Sequence, residues 1–140
     1  MDVVRGEKMY FTLETDYAIR IVDTLARSQK RLDAKTISEM TGVTLRFSLK
    51  ILRNLVAAGI IKSFKGTQGG YEIGRPLEEI TLGEVIETIE GKFTLSRCVS
   101  GEYACTRHKD RCCRFQKIFR EISNDVREKL YSYNFAELTK

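Results

Sequence analysis

Residues 34–73 constrain the fold of this 140-residue chain more tightly than any other segment. A short helical pattern carrying Ile37 and Met40 stops near Gly42, where glycine can adopt the left-handed conformation that closes a helix. Thr44 then offers a side-chain oxygen to cap a following helix, with Leu45, Leu49, Leu52 and Val56 expected inward and Gly59 at its end. Directly after it, Ile60-Ile61-Lys62-Ser63-Phe64 alternates as a strand does, Lys65-Gly66-Thr67-Gln68-Gly69-Gly70 turns, and Tyr71-Glu72-Ile73 returns. Two helices across a tight glycine turn, the second one basic and followed at once by a hairpin, predict a winged helix-turn-helix. The expected fold class is mainly α with a small β-hairpin wing.

The flanking segments extend this plan. Upstream, a helix over Leu13–Ser28 buries Ala18, Ile21, Val22 and Leu25 at helical spacing. Downstream, Thr81 and Glu84 have the spacing of a reciprocal capping box. Leu82, Val85, Ile86 and Ile89 form the apolar face of the helix they open, and Gly91 ends it. A last helix carries Phe115, Ile118, Phe119, Ile122, Val126, Leu130 and Tyr133, a stripe of about five turns at 3.6 residues per turn. That stripe is too long for a small winged domain to cover and predicts packing against a second copy, a homodimer. The chain divides into an N-terminal extension (1–8), a winged helix-turn-helix domain (9–80), a connecting helix (81–91), a cysteine-rich loop (92–114), and a dimerisation helix with a C-terminal tail (115–140).

Charge adds direction. The net charge is +5, and its distribution says more than its total. Residues 43–75 carry Arg46, Lys50, Arg53, Lys62, Lys65 and Arg75 against Glu72 alone, whereas residues 76–91 carry five glutamates and no base. A basic face beside an acidic structural segment is the footprint of nucleic-acid binding. Any hairpin turn needs glycine for its own geometry, but that need does not explain Lys62 and Lys65 beside it. A single histidine, the absence of a C-x-x-C pair or a nucleotide-binding loop, and no acid–base set argue against an enzyme. The apolar runs are too short for a membrane span, and residues 1–8 lack a secretory leader, so the expected location is cytoplasmic.

All four cysteines (Cys98, Cys105, Cys112 and Cys113) fall within sixteen residues, among Arg97, Arg107, Lys109, Arg111 and Arg114. Thiols gathered in one basic loop point to a metal, an iron–sulfur cluster or a redox switch. Structural zinc favours tight C-x2-C pairs. Here the gaps are six residues, which suits a wrapped cluster better than zinc.

The order of these parts resembles the Rrf-two family of winged-helix regulators, which includes IscR and NsrR. The resemblance rests on Thr15-Asp16-Tyr17-Ala18-Ile19-Arg20, Gly42-Val43-Thr44-Leu45 through Leu52, Lys65 through Tyr71, Leu82-Gly83-Glu84-Val85-Ile86 and the cysteine loop, and it runs from Met9 onward. It implies a dimeric transcriptional regulator, a repressor, bound to a palindromic or pseudo-palindromic operator in double-stranded DNA. The exposed face of the third helix (Thr44, Arg46, Phe47, Ser48, Lys50 and Arg53) would enter the major groove. The wing (Lys65, Gly66, Gln68 and Gly69) would reach the minor groove, with Lys65 at its basic position. Leu49 and Lys50 stand where IscR has glutamate and glutamine, so its target sequence does not transfer.

The resemblance further implies an iron–sulfur cluster, 2Fe–2S or 4Fe–4S, that senses iron–sulfur status, redox state or nitric oxide. Its iron would be held by Cys98, Cys105 and one of Cys113 and Cys112. Counting back from the last helix favours Cys113; even spacing favours Cys112. The fourth ligand stays open among Asp16 of the partner chain, the spare one of the cysteine doublet, and His108. Some family members bind no cluster, which leaves a cluster-free thiol switch or a zinc-containing regulator as the alternative.

Overall fold

The computed structural model describes residues 11–100 and 113–140. Helix α1 (Leu13–Ser28) starts at Thr12, whose hydroxyl accepts the Thr15 N–H, and stops where Gln29 turns left-handed. Helix α2 (Ala34–Thr41) begins at Asp33, whose carboxylate accepts the Thr36 N–H at 2.7 Å, and ends at Gly42. That bond holds the Asp33 carboxyl below its usual range. Helix α3 (Leu45–Ala57) is capped by Thr44. Strands β1 (Ile61–Phe64) and β2 (Gly70–Ile73) pair antiparallel, Ile61 opposite Ile73 and Phe64 opposite Gly70. Leu32 bridges to Tyr71 with both backbone bonds made, tying the wing to the α1–α2 connection. A 3-10 turn (Leu77–Glu79) leads to α4 (Leu82–Glu90), and α5 (Arg114–Tyr131) and α6 (Phe135–Leu138) follow. The fold is a winged helix.

One core forms where α1, α3 and α4 meet the hairpin. It contains Ile21, Val22, Leu25, Ile37, Ile51, Leu52, Leu55, Ile60, Ile80 and Val85. Each such side chain contributes roughly 1.5–3 kcal/mol by leaving water. Phe135 completes the core, buried against residues more than fifty positions away. The chain end is stitched back by Leu82 N–H to Tyr133 O and Phe135 N–H to Ile80 O, both 2.9 Å. Nothing in the sequence pattern marked Phe135 as a core residue.

Two local expectations are corrected. Leu45 and Leu49 do not point inward: they are 46% and 39% exposed, and Ser48 and Ile51 take the buried side of α3 with Leu52 and Leu55. Of the two apolar residues read on α2, Ile37 is buried and Met40 is exposed. The capping box at α4 is half made. The Glu84 N–H donates to Thr81, but the Glu84 carboxylate is taken by Arg75 instead of returning to the Thr81 N–H.

The long helix leans on α4 through one carboxylate. Arg127 donates to Glu87 through Nε at 2.6 Å and Nη2 at 2.9 Å, Tyr131 through its hydroxyl at 2.8 Å, and the Phe93 N–H at 2.7 Å. Burial alone would push the Glu87 carboxyl up, but these donors outweigh it and hold it at about 2. On α5 itself only Ser123 is buried, while Phe115, Ile118 and Ile122 lie exposed along one side.

Candidate functional site

Thr44, Arg46, Phe47, Lys50 and Arg53 lie on the open side of α3. With Leu45 and Leu49, the last four of these line a shallow depression of about 910 Å3. Ser48 does not belong there. It is fully buried, and its hydroxyl donates to the Val43 carbonyl, so it positions the turn rather than meeting a ligand. Phe47 sits at the edge of the face, its ring T-shaped against Tyr17 of α1 at 6.0 Å. Lys50 is paired to Glu14 of α1 at 2.8 Å. No carboxylate of the described residues pairs with Arg46, Arg53, Lys62 or Lys65, so four cations face solvent around α3 and the wing.

The wing turn holds Lys65, Gly66, Gln68 and Gly69 beyond the end of β1. Gly70 is required where the turn meets β2: its φ is +140°, and a side chain there would meet the Leu32 carbonyl at 2.6 Å. Arg31, which sequence reasoning passed over, braces the turn. Its guanidinium lies 3.4 Å from the Phe64 ring centre, donates to the Gln68 carbonyl at 3.0 Å, and pairs with Glu72 at 3.5 Å. As one more cation in a polar turn, it carried no signal in the sequence. Its use depends on the Leu32–Tyr71 bridge bringing the wing beside it.

Two of the four cysteines, Cys98 and Cys113, fall within the described residues; Cys105, Cys112 and His108 lie outside them. Cys113 stands at the N-cap of α5 with its side chain unused for capping. Cys98 lies in a 3-10 turn (Arg97–Val99) docked on the same helix. The Gln116 amide donates to the Cys98 carbonyl at 2.8 Å, and Leu95 N–H donates to the buried Ser123 hydroxyl at 2.7 Å. Both thiols are half-buried. Gln116 follows Cys113 by three residues, and the chain uses it to fix Cys98. Among the described residues no group of three or more His, Cys, Asp or Glu side chains converges on one point.

Asp16 is exposed on the first turn of α1 and paired with Arg20 at 2.9 Å. Arg20 also lies 5.5 Å from the Tyr17 ring, which contacts Phe47 of α3. Beside it, Glu90 at the end of α4 accepts the Thr12 N–H and the Thr15 hydroxyl, both at 2.7 Å. Burial opposes charge on Glu90, but these two donors win and hold its carboxyl below the ordinary range. The start of α1 is therefore joined both to α4 and to α3. No helix among the described residues is long and apolar enough to cross a membrane.

Comparison with known proteins extends these observations. Residues 11–140 match the Rrf2 family, described as an iron-dependent transcriptional regulator. The HTH-type transcriptional regulator NsrR of Bacillus licheniformis is 31% identical over 96 residues, covering 67% of each chain. Among solved structures, CymR (YrzC), the global cysteine regulator of B. subtilis, superposes with a TM-score of 0.74 at 22% identity, covering 93% of this chain and 95% of that one. IscR of T. potens gives a TM-score of 0.70 at 20% identity, covering 95% and 88%.

Proposed function

Because the chain belongs to the Rrf2 family of transcriptional regulators, we propose that it is a dimeric repressor whose DNA affinity is set by an iron–sulfur cluster in the cysteine loop. The observation that carries this reading is the Gln116–Cys98 bond. It fastens one cysteine to the helix that another, Cys113, begins, so the ends of a sixteen-residue thiol-rich segment are tied to one rigid element. That arrangement suits a group bridging several thiols. The positive N-terminal end of α5 favours an anionic group there.

Cys98, Cys105 and either Cys113 or Cys112 would hold the iron, with Asp16 of the partner subunit, the spare cysteine or His108 as fourth ligand. The bound cluster would supply one-electron and ligand-exchange reactivity. The chain's own residues supply the link to DNA. Glu87 ties α5 and Phe93 to α4, and Glu90 ties α4 to the first turn of α1. Tyr17 and Glu14 of α1 touch Phe47 and Lys50 of α3. A shift at the loop would thus have a continuous packed route to the DNA-facing helix. Arg46, Lys50 and Arg53 would meet the major groove and Lys65 the minor groove.

A second reading is favoured by the likeness to CymR, the global cysteine regulator. In it the same thiols work without a metal, as an oxidation switch. Anaerobic purification with visible absorption and iron and sulfide analysis separates the two. A brown protein holding iron and sulfide, bleached by air, is the expected result. A colourless protein lacking both, with DNA affinity set by thiol oxidation, would replace the cluster reading with the thiol switch. Stoichiometric zinc would replace both.

A further inference from the structure

We propose that Leu45 and Leu49 are base-reading residues that recognise thymine through its 5-methyl group. The inference rests on α3 entering the major groove, as proposed above. Helix α3 buries Ser48, Ile51, Leu52 and Leu55. At roughly 100° per residue, the opposite strip is therefore Arg46, Lys50 and Arg53, and Leu49, with Leu45 one turn ahead of it, forms the exposed flank between that strip and the buried Leu52. Neither leucine belongs to the core, and both stand among cations where an exposed surface ordinarily places polar residues.

The neighbouring charges select the occupant of this face. Arg46, Lys50 and Arg53 would repel a basic partner and attract a polyanion. Residues at the start of a recognition helix are the ones that reach base edges, and Leu45, Arg46 and Leu49 lie in its first two turns. Those two turns contain no Asn, Gln, Asp or Glu, so the usual hydrogen-bonding readers of adenine and cytosine are absent. Arg46 and Lys50 remain for guanine or phosphate. An A·T pair can then be told apart by the one apolar group in the groove, the thymine methyl. Phe47 is the other apolar candidate, but its ring is engaged with Tyr17 at the margin. The geometry implies half-sites with at least one thymine beside the bases or phosphates met by Arg46 and Lys50.

The test begins with selection of preferred duplexes from a random pool by the full chain, in its anaerobically purified and its iron-stripped forms. Each thymine of the enriched sequence is then replaced by uracil, which removes the methyl and leaves every hydrogen-bonding edge intact. At one or more positions the wild-type chain should lose affinity about fourfold per methyl, the equivalent of one buried methyl group. Leu45→Ala and Leu49→Ala should bind the thymine duplex more weakly and lose nothing further with uracil at the matching position. Uracil tolerated at every position, or an equal loss in the alanine variants, would overturn methyl recognition and leave DNA binding standing. Failure of both forms to enrich any duplex would overturn DNA binding as well. The uracil series uses the wild-type chain, so its outcome does not depend on a variant folding.

Discussion

Glu87 shows how much one side chain can decide. It receives the Arg127 guanidinium, the Tyr131 hydroxyl and the Phe93 N–H, joining two helices and the start of the cysteine loop. Burial raises the Tyr131 hydroxyl above its ordinary range, and the adjacent carboxylate raises it further, so it stays a donor. The Glu87 carboxyl falls from 4.5 to about 2 on folding, a depressed acid. Its contribution is present in full above the unfolded value and is lost as pH falls through the folded one. Glu87→Gln keeps the shape and removes the charge, and should cost about 2 kcal/mol of unfolding free energy at neutral pH. Urea unfolding of both proteins should show that gap steady down to about pH 5 and closing between 4.5 and 2. A gap that ignores pH would mean the charge contributes nothing and neutral hydrogen bonds carry the junction.

At the scale of elements, α4 and α5 approach each other through a missing side chain. A Cβ built on Gly83 would come within 2.3 Å of the Tyr131 ring, so the helices are spaced for glycine. Alanine in a helix ordinarily gains up to about 1 kcal/mol over glycine. Here overpacking of about 1–3 kcal/mol should outweigh that gain. Gly83→Ala should therefore lower the thermal midpoint, and adding Tyr131→Ala should make the same alanine neutral or favourable. Equal effects in both backgrounds would show that the ring is not what Gly83 makes room for. Gly83 illustrates what the sequence withholds. Local chemistry was legible: Thr44 and Thr81 cap helices, and the stripe of α1 is where periodicity puts it. In α3 the four leucines share one arc of the helix, so periodicity alone could not separate the buried Leu52 and Leu55 from the exposed Leu45 and Leu49, nor find the inward Ser48. Arg31 at the wing and Gln116 at Cys98 act across gaps of many residues, where no local pattern exists to be read.

For the whole molecule, the question is what covers α5. Ile118 and Ile122 are 44% and 41% exposed one turn apart, on a helix whose attachment to its own chain runs through Ser123, Arg127 and Tyr131 instead. Two such faces meeting about a two-fold axis would bury the stripe and set two α3 helices on one duplex, about 34 Å apart if they read successive major grooves. In the proposed cluster site, Asp16 of the partner subunit is available as a ligand only if such a dimer forms. Ile118→Glu with Ile122→Glu places buried charges in that interface while leaving the core and the Glu87 junction untouched. Sedimentation should change from a concentration-stable dimer to a monomer with an unchanged helical spectrum. Affinity for a full palindrome should fall to that for a single half-site, because the energy of the second half-site is available only when the two are linked. A variant that still sediments as a dimer would move the interface off α5. A wild-type chain that sediments as a monomer would remove the dimer, and with it any ligand contributed by the partner chain.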